Sequence, residues 1–138
     1  NGAGAVLDAE KHEVVREIHE LLPEGVDTVF ECCGKQEALS QATDILKPGG
    51  SLVIVGIPEL DRIHFDIHNL RRREISLFNV RRQNRQIEHA VSLLQKNRAR
   101  MSRLLTHQFS YRETQEAFEL VNQYKDGVIK AVIQFSQG

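Results

Sequence analysis

The sequence has few cysteines, few aromatic residues and no tryptophan, and these scarcities exclude several classes of protein. Cys32 and Cys33 are adjacent, so they cannot form the spaced disulfide framework of a small extracellular domain, and a reducing cytoplasm is the expected setting. No CxxC motif occurs, which excludes a structural zinc finger. The longest apolar run, residues 51–57, is far shorter than the ~20 residues of a membrane span, and no signal-type leader opens the sequence. We therefore expect neither a membrane span nor secretion.

What remains is an ordinary globular composition with an uneven charge distribution. The 138 residues are 41% apolar and 27% charged, which suits roughly one domain. Residues 1–61 carry 4 basic and 12 acidic side chains, residues 62–103 carry 11 and 3, and residues 104–138 carry 3 and 4. The basic middle segment suits nucleic acid, a phosphate-bearing cofactor or an internal acidic partner. Phe65 and Phe78 are its only aromatic residues, too few for a base-stacking platform, which disfavours a free-standing nucleic-acid-binding module.

The first part of the sequence alternates strand and helix patterns. The predicted elements are a short strand at residues 6–7, a helix over residues 9–22 capped by Asp8, a strand at 28–31, a helix over 35–46 and a strand at 51–55. In the second helix, Leu39, Ala42, Ile45 and Leu46 share an inward face. An uninterrupted aliphatic strand after a strand and a helix is typical of a parallel sheet covered on both faces, so the sequence predicts an α/β fold.

The remaining sequence has a looser stretch and then regular elements again. The pattern predicts an extended piece at residues 63–65, a helical turn at 66–72, a strand at 75–80, a helix from Asn84 to Asn97, a capping box at 110–113 before a helix, and a strand at 128–135. Apolar stripes are expected on the two long helices, at Ile87, Ala90, Val91 and Leu94 and at Ala117, Phe118, Val121 and Tyr124.

Two strand ends are followed by glycine, and these are the first candidates for a binding site. Ligands of open parallel sheets lie at the carboxyl ends of the strands, here residues 32–34 and 55–57. A glycine there lets a flat ring or a phosphate approach the backbone, or it serves only the turn, and the second reading is commoner for a lone glycine. Arg81 and Arg82 follow another predicted strand, where they either contact an anion or form a solvated surface.

Other reactive side chains give weaker patterns. His64 and His68 are four residues apart, close to a metal-ligand spacing on a helix, but no Glu or Cys partner accompanies them. Cys32 follows a strand without a histidine nearby in the sequence, so a small structural cysteine is favoured over a nucleophile. We therefore predict no catalytic residue and no metal ligand in this chain.

Residues 29–39 and 46–58 resemble the medium-chain, zinc-type alcohol dehydrogenase family, and the basic loop looks most like its sorbitol and polyol branch. Further motifs at residues 105–109, 116–118 and 127–130 recur in the expected order. The resemblance implies the C-terminal portion of such an enzyme. Residues 1–83 would be the second half of a Rossmann-like NAD-binding domain with a partial parallel sheet, and residues 84–138 a helix–strand segment returning toward a zinc catalytic domain. The family's phosphate loop and zinc ligands are expected upstream, and the chain alone is expected to be inactive.

The resemblance also implies an activity and roles for individual residues. It implies hydride transfer between a secondary alcohol or polyol and NAD(P), with zinc bound only upstream. The turn beside the adenosine half of the cofactor is matched by Cys32, Cys33 and Gly34, and the turn that holds the carboxamide is matched by Val55, Gly56 and Ile57. A segment near the nicotinamide is matched by Asn79, Val80 and Arg81. Arg82 matches a substrate-proximal arginine, and Lys130 matches a basic residue at the pyrophosphate. Arg81 stands where the family often has a bulky residue, which implies a more polar substrate pocket.

The alternating residues Ile63, His64 and Phe65 are predicted to be an edge strand through which two copies of the chain pair. The resemblance implies the same place of pairing, and a solvent loop is the alternative. Two further alternatives to the dehydrogenase remain, a basic module that binds nucleic acid and a non-catalytic assembly fragment.

Overall fold

The computed structural model describes residues 2–135, which form two compact units, Gly2–Asn84 and residues 85–135. Asn1 and residues 136–138 lie outside the described residues. Asn1 belongs to the predicted segment 1–83, and residues 136–138 belong to the predicted segment 84–138. None of the helices between residues 2 and 135 is long and apolar enough to cross a membrane.

A three-stranded parallel sheet forms the centre of the first unit. Its strands are adjacent in chain order, β1 (Val26–Glu31), β2 (Leu46–Ile54) and β3 (Ser76–Asn79). Helices precede or connect them, α1 (Val14–Leu21) before β1, α2 (Gln36–Ile45) between β1 and β2, and α3 (Ile67–Arg72) between β2 and β3. Strand, helix and parallel strand thus repeat along the chain, which confirms the predicted α/β class and its partial Rossmann-like sheet.

The core of this unit lies between α2 and one face of β2. Helical spacing places Leu39, Ala42 and Leu46 on one side, and the two-residue period of the strand places Leu52 and Ile54 toward them. All five residues are buried. The inward face predicted for the second helix is therefore confirmed. On the opposite face of β2 the side chains of Ser51 and Val53 are only half-buried, so the expectation of a strand covered on both faces holds for one face.

The strand β2 begins earlier than the sequence predicts. Leu46 pairs with Val26 of β1, and the next strand pair joins Ser51 to Thr28, so residues 47–50 form an irregularity within the strand. Gly49 and Gly50, which lie between the predicted helix and the predicted strand, are thus accommodated inside β2.

The end of α2 is capped by an arginine from a distant part of the chain. The guanidinium of Arg73 donates to the carbonyl oxygen of Thr43 at 2.9 Å and to that of Leu46. The main-chain carbonyl of the same arginine accepts the N–H of Gly49 at 2.8 Å. One of three consecutive arginines is therefore used to satisfy the last carbonyl groups of a helix, a role that its charge alone does not predict.

The N-terminal part of the unit differs from the prediction. Residues 6–7 belong to none of the described strands, and α1 starts at Val14 rather than directly after Asp8. The Asp8 carboxylate instead accepts a hydrogen bond from the N–H of Glu10 at 3.1 Å and forms an ion pair with Lys11 at 2.7 Å. These two contacts close a turn that is separate from the helix. The aspartate side chain thus serves a local turn that competes with the helix.

Residues 63–65 are not a strand, and the predicted edge is wrong. Ile63 and Phe65 pack against the core. The N–H of His64 donates to Gln36 Oε1 at 2.9 Å, and its carbonyl accepts from Gln36 Nε2 at 2.8 Å. The side-chain amide of a helix residue thus occupies the backbone groups of His64 that an added strand was expected to use.

The second unit contains a small parallel sheet connected by a helix. Its elements are α4 (Ile87–Lys96), α5 (Arg98–Met101), β4 (His107–Ser110), α6 (Thr114–Asn122) and β5 (Ala131–Gln134), with β4 and β5 paired in parallel. The predicted capping box is confirmed, because both the N–H and the hydroxyl of Ser110 donate to Glu113 Oε2, at 2.8 and 2.7 Å. A helix–strand segment at the C-terminus is thus confirmed.

The apolar stripes of this unit are present but are mostly not buried. Ile87, Val91 and Leu94 of α4 are exposed, as are Phe118, Val121 and Tyr124 at α6, whereas Ala117 is buried. Tyr124 also lies beyond the end of α6 and has a positive φ of 49°. Helical spacing correctly predicts the stripe residues that lie within α4 and α6, whereas the assignment of Tyr124 to the second stripe is wrong. The spacing does not show whether these faces are covered within the described residues.

Candidate functional site

The two glycine-containing turns at the carboxyl ends of β1 and β2 pack directly against each other. Gly34 has a φ of +76°, and a β-carbon added there would overlap the carbonyl oxygen of Ile57. A β-carbon added at Gly56 would lie 2.5 Å from the nitrogen of Gly34. Both glycines are therefore required by the packing of the chain itself. This supports the interpretation that they serve the turns, and it gives no separate evidence that a ligand ring lies against the backbone.

Glu31, the last residue of β1, ties these two turns together. Its side-chain Oε1 accepts the N–H groups of Cys33 and Gly34 at 2.7 and 2.6 Å. Its main-chain carbonyl oxygen accepts the N–H groups of Val55 and Gly56 at 2.8 and 2.9 Å. Four hydrogen bonds thus converge on one residue that is only 4% exposed.

The electrostatics of this junction keep the carboxylate charged. Burial raises the pKa of Glu31, but hydrogen bonds from the Cys33 thiol and from the backbone N–H groups of Gly34 and Cys33 outweigh it and lower the pKa below its ordinary 4.5. Glu31 Oε2 is buried and has no hydrogen-bond partner among residues 2–135. The junction therefore holds an ionised group whose second oxygen is unused.

The thiol of Cys33 shifts in the opposite direction. The backbone N–H of Lys35 favours the thiolate, but the Glu31 carboxylate and burial outweigh it, so the pKa of Cys33 lies above its ordinary value. A nucleophilic cysteine needs a lowered pKa. Both cysteines are free thiols, and the raised pKa of Cys33 does not favour a nucleophilic role for it. That Cys32 is a small structural cysteine rather than a nucleophile stays a prediction.

A cavity of about 630 Å³ opens at the carboxyl ends of β2 and β3. Its walls combine apolar side chains with backbone of the strand-end turns, and it is lined by residues 54–58, Ile63 and residues 79–82. A smaller cavity of about 360 Å³ lies beside β1 and α2 and includes Glu31, Cys32 and Cys33. The Glu31 junction contributes to both, because Glu31 is among the residues that line the smaller cavity, while its carbonyl oxygen accepts the N–H groups of Val55 and Gly56 in the larger one.

Most of the predicted site residues are brought together by these two cavities. The larger cavity is lined by Val55, Gly56, Ile57, Asn79, Val80, Arg81 and Arg82. The smaller cavity is lined by Cys32 and Cys33. Gly34 lies between the turns. Lys130 belongs to the second unit, where its carbonyl accepts the N–H groups of Thr106 and His107 at 3.1 and 3.3 Å.

Arg81 and Arg82 bring two positive charges to the larger cavity. The segment that carries them is fixed where the N–H of Val80 donates to the carbonyl of Ile54 at 3.0 Å. No acidic side chain lines this cavity, and no carboxylate in the described part of the chain lies within ion-pair distance of either guanidinium. The cavity therefore has an apolar wall and an uncompensated cationic edge.

The sequence analysis missed Glu31 as a functional residue. A single glutamate at the end of a strand carries no sequence signal of its own, because its role depends on a second turn that is 24 residues away. A carboxylate placed just before a glycine turn, at the point where a parallel sheet is expected to bind ligands, is the pattern that would have identified it.

The described residues contain no cluster of three or more His, Cys, Asp or Glu side chains that could hold a metal ion. His68 lies within α3, whereas His64 precedes that helix, so the pair does not share a helical face. The predicted absence of a metal site from this chain remains a prediction.

Comparison with known proteins assigns the family. Residues 1–96 match the model of a family described as zinc-binding dehydrogenase. The chain belongs to the zinc-binding dehydrogenase family. The resemblance stated from the sequence motifs is thereby confirmed.

Relatives within the zinc-binding dehydrogenases match most of the chain. Sorbitol dehydrogenase of Bacillus subtilis (strain 168) is 26% identical over 133 residues, which are 96% of the chain and 38% of the relative. D-xylulose reductase of Morganella morganii is 27% identical over 119 residues, 86% of the chain and 35% of the relative. A solved structure from Sinorhizobium meliloti 1021, described as a zinc-binding dehydrogenase bound to NADP, superimposes with a TM-score of 0.82 at 27% identity, covering 96% of the chain and 40% of that protein. The chain thus spans less than half of each relative, and corresponds to their C-terminal part.

Proposed function

We propose that the chain is part of an NAD(P)-linked dehydrogenase that transfers a hydride between a secondary alcohol or polyol and the nicotinamide, and that it supplies one side of the cofactor site. The observation that carries this proposal is the cavity of about 630 Å³ at the carboxyl ends of two neighbouring parallel strands. Open α/β sheets bind their ligands at this edge. The relatives described as sorbitol dehydrogenase and D-xylulose reductase support the substrate class.

The residues present fit a nicotinamide cofactor. Binding cavities for such ligands measure roughly 300–1,000 Å³ and are mostly apolar with a few polar groups, as this one is. The Glu31 junction also holds the cavity's backbone wall at Val55 and Gly56 in a fixed position. NADP in the S. meliloti structure supports the same group of cofactors here. When bound, the nicotinamide supplies the hydride chemistry, and the protein supplies binding and orientation.

Each predicted residue then has a binding role. We assign the backbone of Val55, Gly56 and Ile57 to the carboxamide of the cofactor. We assign Asn79, Val80 and Arg81 to the nicotinamide side and Arg82 to the substrate side. The adenosine half is assigned to Cys32, Cys33 and Gly34, and the pyrophosphate to Lys130. Residues 1–83 would form the second half of the dinucleotide-binding domain, and residues 84–138 the return toward the catalytic domain.

The zinc ion implied by the family supplies polarisation of the alcohol oxygen when bound, and we assign its ligands to the part of the relatives that this chain does not cover. On this assignment the chain alone does not catalyse. Because the exposed cysteines Cys32 and Cys33 are free thiols, we also place the protein in the reducing cytoplasm.

Self-association around Ile63, His64 and Phe65 stays part of this proposal, now through side chains rather than an added strand. Phe65 packs against the core, so a charge there would unfold the monomer as well as disturb a contact. The exposed side chain of His64 is the better probe. We expect His64→Glu to shift a wild-type dimer toward monomer in sedimentation velocity. A monomeric wild type at high micromolar concentration would remove this interface.

Titration of the 138-residue chain with NADP and NAD tests the cofactor assignment. We expect binding weaker than micromolar, with backbone amide NMR shifts concentrated at residues 54–58 and 79–82. Shifts that avoid these residues, or micromolar binding by the chain alone, would contradict the assignment. Shifts that spread over the basic segment with an oligonucleotide, together with a clear preference among sequences, would favour the nucleic-acid alternative.

A further inference from the structure

We propose that the substrate of this dehydrogenase is a polyol carrying an anionic group, a carboxylate or a phosphate monoester, which Arg81 and Arg82 bind at the edge of the larger cavity. The inference rests on the proposed function, because it assigns the substrate end to that cavity. It adds the charge of the substrate, which the names of the relatives do not specify.

The first step of the argument is the state of the two arginines. Both are exposed to the cavity, and neither guanidinium has a carboxylate or a carbonyl partner among residues 2–135. Other cationic side chains of the same unit are used differently. The Arg73 guanidinium caps α2, Lys47 pairs with Asp27, and Arg16 pairs with Glu20. Arg81 and Arg82 thus retain their full hydrogen-bonding capacity for a ligand.

The second step is the surroundings of that charge. The cavity has apolar walls, contributed by Ile54, Val55, Ile57 and Val80, and none of the acidic side chains between residues 2 and 135 lines it. Guanidinium groups do not lose their proton in proteins, so two adjacent positive charges persist beside a partly apolar surface. An anion offsets their mutual repulsion and accepts charge-assisted, bidentate hydrogen bonds. The hydroxyl groups of a neutral polyol leave both charges uncompensated.

The third step concerns which anion is held. Phosphate groups of the cofactor are the alternative occupant. The proposed function assigns Arg82 to the substrate side. Arg81 lines the same cavity as Arg82 and precedes it in the chain, so the second charge lies beside the first. A carboxylate and a phosphate monoester share the required chemistry, and the experiment below separates them.

The test uses the whole dehydrogenase that contains this chain, with sorbitol, gluconate and sorbitol 6-phosphate as probes. We expect kcat/KM for at least one anionic polyol to exceed that for sorbitol about tenfold or more. We expect Arg81→Gln to lower kcat/KM for that anionic polyol about 10- to 100-fold, the usual effect of losing a charge-assisted contact. The decrease that Arg81→Gln causes in kcat/KM for sorbitol should be at least tenfold smaller. In the same variant, KM for the cofactor should rise less than KM for the anionic polyol. Arg71→Gln, which removes an exposed arginine outside the cavity, is the matched control.

Several results would overturn the inference. Preference for sorbitol over both anionic polyols would contradict it, and so would an equal loss for all three. A rise mainly in KM for the cofactor would assign the arginines to cofactor phosphates.

A binding readout keeps the inference separate from catalysis. Titration of the 138-residue chain with sorbitol 6-phosphate and with gluconate should shift the backbone amides of Val80, Arg81 and Arg82 in NMR spectra, and Arg81→Gln should weaken that response. If these shifts occur while no polyol is turned over by the whole protein, the proposed dehydrogenase function fails and the anion site stands. If turnover of sorbitol occurs without these shifts, the anion site fails and the dehydrogenase stands.

Discussion

Gly56 leaves the space that the carboxylate of Glu31 occupies. A β-carbon at Gly56 would lie 2.6 Å from Glu31 Oε2, and the N–H of Gly56 donates to the main-chain carbonyl of Glu31 at 2.9 Å. The turns after β1 and β2 therefore form one packed unit, although 24 residues of sequence separate the two residues. Gly56 lines the larger cavity and Glu31 the smaller one, so this contact joins the walls of the two cavities.

Substitution of Gly56 should therefore be strongly destabilising. In Gly56→Ala the new methyl group meets the backbone of Gly34 at 2.5 Å and that of Cys32 at 3.0 Å, and backbone cannot move aside as a flexible side chain can. We expect a loss of about 1–3 kcal/mol in the free energy of unfolding, the usual cost of overpacking, measured by urea denaturation. Gly4→Ala is the matched control, because nothing lies within 4 Å of a β-carbon at Gly4. Equal stability of the two variants would show that the turns are not packed in this way.

Removal of the Glu31 carboxylate should leave two N–H donors without an acceptor, one of them buried and the other part-buried. Glu31→Ala removes the acceptor of the N–H groups of Cys33 and Gly34, and each unsatisfied buried group costs about 1–3 kcal/mol. Glu31→Gln keeps one acceptor oxygen, and we expect it to recover a large part of the stability. A glutamine variant as unstable as the alanine variant in urea denaturation would mean that the charge, rather than the acceptor, holds the turns.

The lowered pKa of Glu31 predicts how stability depends on pH. In the unfolded chain the carboxyl takes up a proton near its ordinary pKa of 4.5, whereas in the folded protein it stays ionised to lower pH. The unfolded state therefore binds more protons in this range, so the contribution of Glu31 is fully present above pH 4.5 and is lost as pH falls through the folded pKa. We expect the free energy of unfolding of wild type to fall below pH 4.5 more steeply than that of Glu31→Gln. Parallel pH profiles would contradict this assignment.

The elements that could be predicted from the sequence are those with dense local patterns. The inward positions of α2 and the capping box at Ser110 follow from residues close together in the chain, and the structure confirms them. Apart from the local turn at Asp8, the features that the sequence does not predict are decided by distant residues. Gln36 pairs with the backbone of His64 and prevents a strand there, and Arg73 caps a helix that ends 28 residues before it. The site was predicted through its glycines, whereas the residue that holds it, Glu31, acts through tertiary contacts.

Arg73 should contribute more to stability than its neighbours in the basic run. Arg73→Ala removes donors to the carbonyl groups of Thr43 and Leu46 at the end of α2, and we expect a loss of about 1–3 kcal/mol in the free energy of unfolding. Arg71→Ala, an exposed position in the last turn of α3, should change it by less than about 0.5 kcal/mol. Equal effects in thermal or urea denaturation would show that the run acts only as surface charge.

Gln36 should be required to hold residues 63–65 against the core, and Ile63 among them lines the larger cavity. Gln36→Ala removes both hydrogen bonds to the backbone of His64, so the amide of His64 should exchange with solvent faster, by roughly 10-fold if about 1.4 kcal/mol of local stability is lost. Gln36→Glu keeps an acceptor for the N–H of His64 but turns a second oxygen toward its carbonyl, and should therefore not restore protection. Gln41→Ala is the matched control, because the side-chain amide of Gln41 donates a hydrogen bond to Glu37 of the same helix and not to residues 63–65. Unchanged exchange at His64 in Gln36→Ala would mean that the packing of Ile63 and Phe65 alone fixes this segment.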